Sequence, residues 1–396
     1  MFLKNISVLY GKELRYLPST NIKISNDIFK RIKQNSKPDS KDKVIDCDGL
    51  LLVPGFINSH THVGDSIAKD LSLDRSVDQS IHPVFGIKSK ILKNTKPSHL
   101  VSFMRNSCLT MLKRGITTFV DFREGGNEGI NMLKKAIQNV PIRSIILGRL
   151  DYYQNLEEIK KNRPFPMKKK QELRKIIKNC NGLGVSGANE NSLSVLDFYS
   201  RNRTLRAIHC SETDQSTKLS KKITGTSETS RALKLRPHFL VHMTYASEKD
   251  LVLAAKKTRG IVICPRANAA LAEGIPDLQK MLRAKCNITI GTDNVMINSP
   301  DVFREMDYLW KTTMGITKKS IDPKIILKMS TVNAGKMLKQ KIGVIETGKF
   351  ADCLFIDKNS LDLNPIHNPY AALVHRATES CIKAVMIGGK IVHGKI

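Results

Sequence analysis

The chain has 396 residues and a formal net charge of +29, with 41% hydrophobic and 26% charged residues. That supplies one large core, or a large domain plus a small one, and no apolar run reaches the roughly 20 residues that span a bilayer. Only 6% of residues are aromatic, the basic residues are dispersed and no nucleic-acid module signature is present, so a nucleic-acid partner is disfavoured and the charge reads as a lysine-rich solvated surface able to attract anions.

The N-terminus, MFLKNISVLYGKELRYL, has no continuous apolar stretch followed by a small-residue cleavage site, so it reads as a chain without a signal peptide, placed in the cytoplasm. Residues 1 to about 50 hold short alternating segments (NISVLYG, NIKISN, KVIDCDG) with glycine turns between them, the pattern of antiparallel strands. Eight short apolar segments follow: LLVPGFINSH, ITTFVDFR, IRSIILGRL, GLGVSG, LRAIHC, HFLVHM, GIVICP and NITIGTD. Charged, helix-permissive stretches separate them, such as PSHLVSFMRNSCLTMLKRG and ASEKDLVLAAKKTRG. In the latter, Ser247 is placed to cap a helix carrying Leu251, Leu253 and Ala254. Eight strands alternating with helices predict a (β/α)8 barrel. The tail, with ADCLFID and CIKAVMIGGKIVHGK, returns to strand-like alternation. Neither end has enough strands for a stable sheet alone, so residues 1–53 and 345–396 are expected to form one small β-domain around a barrel over 54–344. The 65–98 connection is long for a βα loop and is a candidate lid. Eight cysteines stand singly, without a CxxC pair, which favours reduced thiols over a disulfide frame or a thiolate zinc site.

The unusual polar residues fall where barrel chemistry is done. His60, His62, Asp121, Arg123, Arg149, His209, His242, Cys264 and Asp293 all lie at or just beyond the C-terminal end of a predicted strand, the rim at which catalytic side chains of such barrels converge. His60 and His62 are two apart on an extended strand and so face the same way. An HxH pair alone is a weak signal, but His209 and Asp293 occupy matching rim positions. The four together offer imidazole and carboxylate donors to one divalent metal ion, Zn2+ with Fe2+ as the alternative. A metal-activated water at neutral pH would attack an sp2 carbon bearing a nitrogen leaving group. Asp293 would take the water's proton, Glu212 would serve as acid and base, and His242 would orient water or stabilise the oxyanion.

The segments PGFINSHTH, HCSE, VHMTYAS, CPRAN, IGTDN and STVNAGKML with IGVIETGKFADCLFID resemble, in order, the motifs of the amidohydrolase superfamily. They are most similar to its mononuclear branch, which holds cytosine, guanine and S-adenosylhomocysteine deaminases and the triazine hydrolases. The resemblance implies a barrel with a composite β-sandwich from the chain ends. It implies His60, His62, His209 and Asp293 as ligands, His242 as the sixth-strand histidine, and Glu212 in an HxxE motif as the proton shuttle to a ring nitrogen. NGLGVSGAN has no lysine to bridge a second metal. The expected activity is hydrolysis of a non-peptide C–N bond, foremost deamination of a cyclic amidine (purine, pyrimidine or pterin-like). A cyclic amide or imidazolone is the alternative substrate, and a catalytically silent or nucleic-acid-binding barrel the rival class. Asp65, Arg123, Arg149, Arg266 and Asn268 are candidate substrate contacts, with an ion-paired rim network as the other reading of the arginines. CPRAN has alanine at 267 where the family has serine. The sequence leaves a homo-oligomer open and requires no membrane.

Overall fold

The computed structural model describes residues 1–396. The N-terminal flank supplies β1 (Phe2–Tyr10), β2 (Arg15–Ser25), β3 (Ile28–Lys33), β4 (Val44–Asp46) and β5 (Leu50–Pro54). The middle of the chain supplies β6 (Phe56–His62), β7 (Ile116–Arg123), β8 (Arg143–Gly148), β9 (Gly182–Val185) and β10 (Leu205–Cys210). It continues with β11 (Phe239–His242), β12 (Ile261–Ile263), β13 (Ile288–Ile290) and the two-residue β14 (Asp293–Asn294). The C-terminal flank adds β15 (Cys353–Asp357), β16 (Ile382–Ile387) and β17 (Lys390–Gly394).

Strands β6 to β14 form one parallel sheet, with β13 and β14 at opposite ends of its order. They are two halves of a single eighth strand. The Gly291 N–H donates to Ile263 O on the β12 side at 2.9 Å, and the next N–H, of Thr292, donates to His60 O on β6 at 3.0 Å. The sheet therefore closes into a (β/α)8 barrel. The last strand approaches the first so closely that a Cβ at 291 would lie 2.7 Å from His60 Cβ, a space only glycine fits. Strands β6, β7, β9, β11, β12 and β13 are buried at every position, as expected for parallel strands with helices on the outer face. Ile57, Val120, Phe122, Leu147, Ala207, Phe239, Val241 and Val262 pack together and plug the interior. The rim above that plug is left for chemistry.

The second sheet runs β17-β16-β15-β5-β1-β2-β3, with β4 on β1, so both chain ends build it together. Two details differ from the sequence reading. LLVPGFINSH is two strands, because the chain leaves this sheet at Pro54 and enters the barrel at Phe56. The flank pairing is also mixed: β1 lies parallel to β4 and β5, while β15 pairs antiparallel with β5 and β16. Ser247 does cap the helix Glu248–Lys257, accepting from the Asp250 N–H. The long connection after β6 carries two short helices, Val77–Ile81 and Ile87–Asn94. No helix is long and apolar enough to cross a membrane.

Candidate active site

Four strand ends bring the predicted donors together. His60 and His62 point from β6 to one side, and Asp293 on β14 sits in register with Thr61 between them. His209 near the end of β10 and His242 at the end of β11 are neighbours across paired strands. The imidazoles stand on the upper face of the plug, with the His60 ring 4.5 Å and the His209 ring 4.9 Å from that of Phe122. His242 and Asp293 have φ of 73° and 61°, a left-handed backbone that costs free energy in residues other than glycine and clusters at functional sites.

The hydrogen bonds define which nitrogens are free. His62 Nδ1 donates to Phe122 O at 3.1 Å and Glu124 Oε1 at 2.8 Å, and His209 Nδ1 donates to Val185 O at 3.1 Å. Those acceptors carry no hydrogen, so both rings hold the proton on Nδ1 and leave Nε2 bare. Burial, reinforced by the Lys88 charge, holds the His62 pKa down at about 3. Burial also holds His209 well below its ordinary value, so both rings are neutral at pH 7. Yet their Nε2 atoms are 3.3 Å apart, and Asp293 Oδ1 stands 3.5 Å from His62 Nε2 and 3.2 Å from His60 Nε2. Lone pairs facing one another this closely repel unless a cation stands among them. Donors bound at 2.0–2.1 Å to a tetrahedral ion would be about 3.3 Å apart. The residues present therefore fit a divalent metal in chemistry and in spacing. Burial pushes Asp293 upward, but His60 and the neighbouring histidines outweigh it and hold the carboxylate below its usual range.

Around this centre several buried atoms lack partners: Asp293 Oδ2, His242 Nε2 and Glu212 Oε1. His242 Nε2 lies 3.4 Å from Glu212 Oε2 and 4.0 Å from Asp293 Oδ2, so the three converge on one point. Burial raises the Glu212 pKa to about 7, the range in which a carboxyl both gives and takes a proton at neutral pH. They open onto a cleft of about 750 Å3, mouth included, with only three apolar lining residues. Its walls include Lys88, Arg149, Glu190, Glu228 and Asp78. Cys264 also comes near His60 and Asp293, but burial raises its thiol far above the usual value, so it stays protonated.

The candidate substrate contacts divide. Arg149 lines the cleft, with Nη2 3.4 Å from Glu124 and Nε unpartnered. The other four lie behind it. Arg123 is buried beneath Gly64, where a Cβ would overlap its guanidinium, and pairs with Asp121 and Glu124. Arg266 turns away to Glu305 at 3.4 Å and to Asn298. Asn268 holds the His242 ring, its Oδ1 3.3 Å from Nδ1. Asp65 accepts from Asn294 Nδ2 at 2.7 Å and from the Met296 N–H at 3.1 Å. These side chains position the centre rather than line the cleft. Sequence reasoning gave no role to Glu124 and missed Lys88 and Glu228. Glu124 had a visible signal, directly following Arg123 at a strand end; the other two lie on helices beyond the rim and had none.

A barrel whose rim holds three histidines and a carboxylate at metal-ligand spacing is built as a metal-dependent hydrolase. The model of the amidohydrolase family matches residues 51–392, and the chain belongs to that family. A protein of Methanothermobacter thermautotrophicus, named for an inferred aminohydrolase activity, is 34% identical over 400 residues, covering 99% of both chains. The 5-methylthioadenosine/S-adenosylhomocysteine deaminase of Thermococcus sibiricus is 28% identical, covering 99% of this chain and 93% of its own. Among solved structures, the atrazine chlorohydrolase of Arthrobacter aurescens, complexed with zinc, superposes with a TM-score of 0.83 at 16% identity, over 98% of this chain and 94% of the other.

Proposed function

We propose that the protein is a metal-dependent aminohydrolase that removes the exocyclic amino group of a cyclic amidine, a purine, pyrimidine or pterin-like ring, with release of ammonia. The observation that carries this reading is the pair of bare His62 and His209 nitrogens 3.3 Å apart beside Asp293 and Glu212. His60, His62, His209 and Asp293 would hold one Zn2+, with Fe2+ as the alternative. When bound, such an ion acidifies water toward a pKa of about 7 and so supplies a nucleophile at neutral pH. Asp293 accepts the attacking water's proton at its unpartnered Oδ2. Glu212 delivers a proton to the ring nitrogen as the C–O bond forms and takes back the proton of the new hydroxyl as the carbonyl forms, while the proton held on Asp293 passes to the departing amine as the C–N bond breaks. His242 orients the attacking water at its unpartnered Nε2, its ring held through Nδ1 by Asn268 Oδ1. The deaminase among the relatives supports the choice of a ring amine over other C–N bonds.

The test is ammonia release across a panel of aminated purines, pyrimidines and pterins, with metal content measured on the same sample. At least one member should be turned over by protein holding about one metal per chain. Glu212→Gln should keep the metal and lose about 10²-fold or more in kcat. A metal-loaded protein that releases no ammonia but opens a cyclic amide would replace the deaminase reading with the alternative hydrolase. Retained turnover in Glu212→Gln would remove Glu212 from its role.

A further inference from the structure

Lys88 is the only buried lysine of the chain, 5% exposed, and lysines are rarely buried without a task for the charge. It sits on the helix Ile87–Asn94 in the long connection after β6. That connection covers the cleft with Val77, Asp78, Ile81, His82 and Pro83, while Leu71, Leu73, Val84 and Phe85 on it are exposed. Lys88 makes the only ion pairs between this segment and the barrel. Its Nζ is 2.6 Å from Glu124 Oε1 and 3.5 Å from Asp65 Oδ2.

Both carboxylates are supports of the metal donors. Glu124 Oε1, the atom that Lys88 touches, is also the acceptor for His62 Nδ1 at 2.8 Å. Asp65 holds Asn294 at 2.7 Å, the residue next to Asp293. One cation from the covering segment thus joins the support of a β6 ligand to the support of the β14 ligand. Withdrawing it would leave two buried carboxylates without their common cation, a costly arrangement. Glu124 would then be free to turn from His62 toward Arg149 and Arg123, which already contact it.

We propose that Lys88 is a positioning residue that couples the seating of the 69–96 segment over the cleft to the orientation of His62, and through Asp65 to that of Asp293. The covering segment and the metal centre therefore assemble together: closing it completes the donor set, and opening it loosens the set. This rests on the metal-site reading above and not on the identity of the substrate.

The test uses the full-length protein, with Co2+ affinity measured by chelator competition, the Co2+ d–d spectrum, and the rate of chymotryptic cleavage at Leu71, Leu73 and Phe85. Lys88→Met should weaken Co2+ binding about 10- to 100-fold, the range typical of lost outer support to a ligand. It should also shift the d–d bands and speed cleavage several-fold. Lys88→Arg should restore most of all three, and Lys88→Gln serves if the methionine variant folds poorly. In a Glu124→Gln background, Lys88→Met should weaken Co2+ binding little further, because the path is shared. Wild-type affinity and spectrum in Lys88→Met, or full additivity with Glu124→Gln, would overturn the coupling while leaving the metal site intact. Wild-type protein that fails to bind Co2+ would overturn both.

Discussion

The two ends of the barrel are both heavily charged, and they use charge in opposite ways. At the C-terminal end the charged groups are buried and mutually neutralising: Asp65, Asp121, Arg123, Glu124 and Lys88 are each less than 9% exposed and tied into one network. At the same rim a few buried atoms have no partner, Asp293 Oδ2, His242 Nε2 and Glu212 Oε1. At the N-terminal end Arg203, Arg206 and Arg259 gather with His238 around a shallow recess, Arg236 lies beside them, and none of the four arginines forms an ion pair within 4.0 Å. Arg206 spends its donors on the carbonyls of Asn202, Thr204, Leu235 and Arg236. The rest meet water, where a high dielectric makes their mutual repulsion cheap. A net charge of +29 therefore says little about function. Unmet demand in a dry place says much more.

The largest effect is expected at Asp293. Asparagine keeps the shape but removes the charge that faces His60 and His62. On the proposed mechanism Asp293→Asn would remove a ligand charge and a general base together, and it is expected to lower metal occupancy and to reduce turnover by about 10³-fold or more. Metal analysis and kcat on the same preparation check it. Near-normal values for both would mean that the centre does not rest on this carboxylate.

How far the sequence shows this centre depends on how local each signal is. His60, His62, His209, His242 and Asp293 stand at strand ends, and strand periodicity together with barrel topology brings such positions to one rim; all five meet in the structure. Glu212 follows His209 closely enough to be carried with it. The supporting shell is different. Lys88 reaches Glu124 across 36 residues of chain, and Asp65 reaches Asn294 across 229, so only tertiary packing reveals those pairs. Arg123 and Arg266 looked like substrate contacts because residue type and position cannot tell a guanidinium facing a cleft from one facing a buried carboxylate. The split of LLVPGFINSH into two sheets was hidden for a related reason. Both halves are apolar, and the break at Gly55 is a change of partner rather than of pattern.

An intermediate effect is expected from Glu228, a wall residue of the cleft that is 4% exposed. Burial raises its pKa from 4.5 to about 7, against an opposing hydrogen bond from Ser216. The sign follows from linkage. Between those values the native carboxyl holds a proton that the unfolded chain releases, so its contribution to stability falls as pH rises from about 4.5 to about 7 and then levels off. Glu228→Gln cannot ionise and lacks that slope. Its stability relative to wild type should therefore grow by on the order of 3 kcal/mol across this window. Urea midpoints at pH 5 and pH 8 measure it. An unchanged difference between the two pH values would show that Glu228 is ionised in the native state at both.

The smallest effect belongs to the other end of the barrel, and it should be confined to stability. Arg206 is half-buried, and burial lowers its pKa, with Arg236 and Arg259 adding to the effect. Its four carbonyl contacts tie the start of β10 to the turn before β11, and charged hydrogen bonds of this kind contribute modestly when water can replace them. Arg206→Ala also relieves repulsion among neighbouring cations, which offsets part of the loss. The expected cost is about 1 to 2 kcal/mol in a urea titration, with metal content and turnover unchanged. The barrel plug of Phe122, Phe239, Val241 and Val262 separates the two ends, and a stiff, well-packed plug should not pass on the loss of a solvated charge. A change in metal affinity in Arg206→Ala would show that the plug transmits strain from one end to the other, and the division of the barrel into a chemical end and a solvated end would fail.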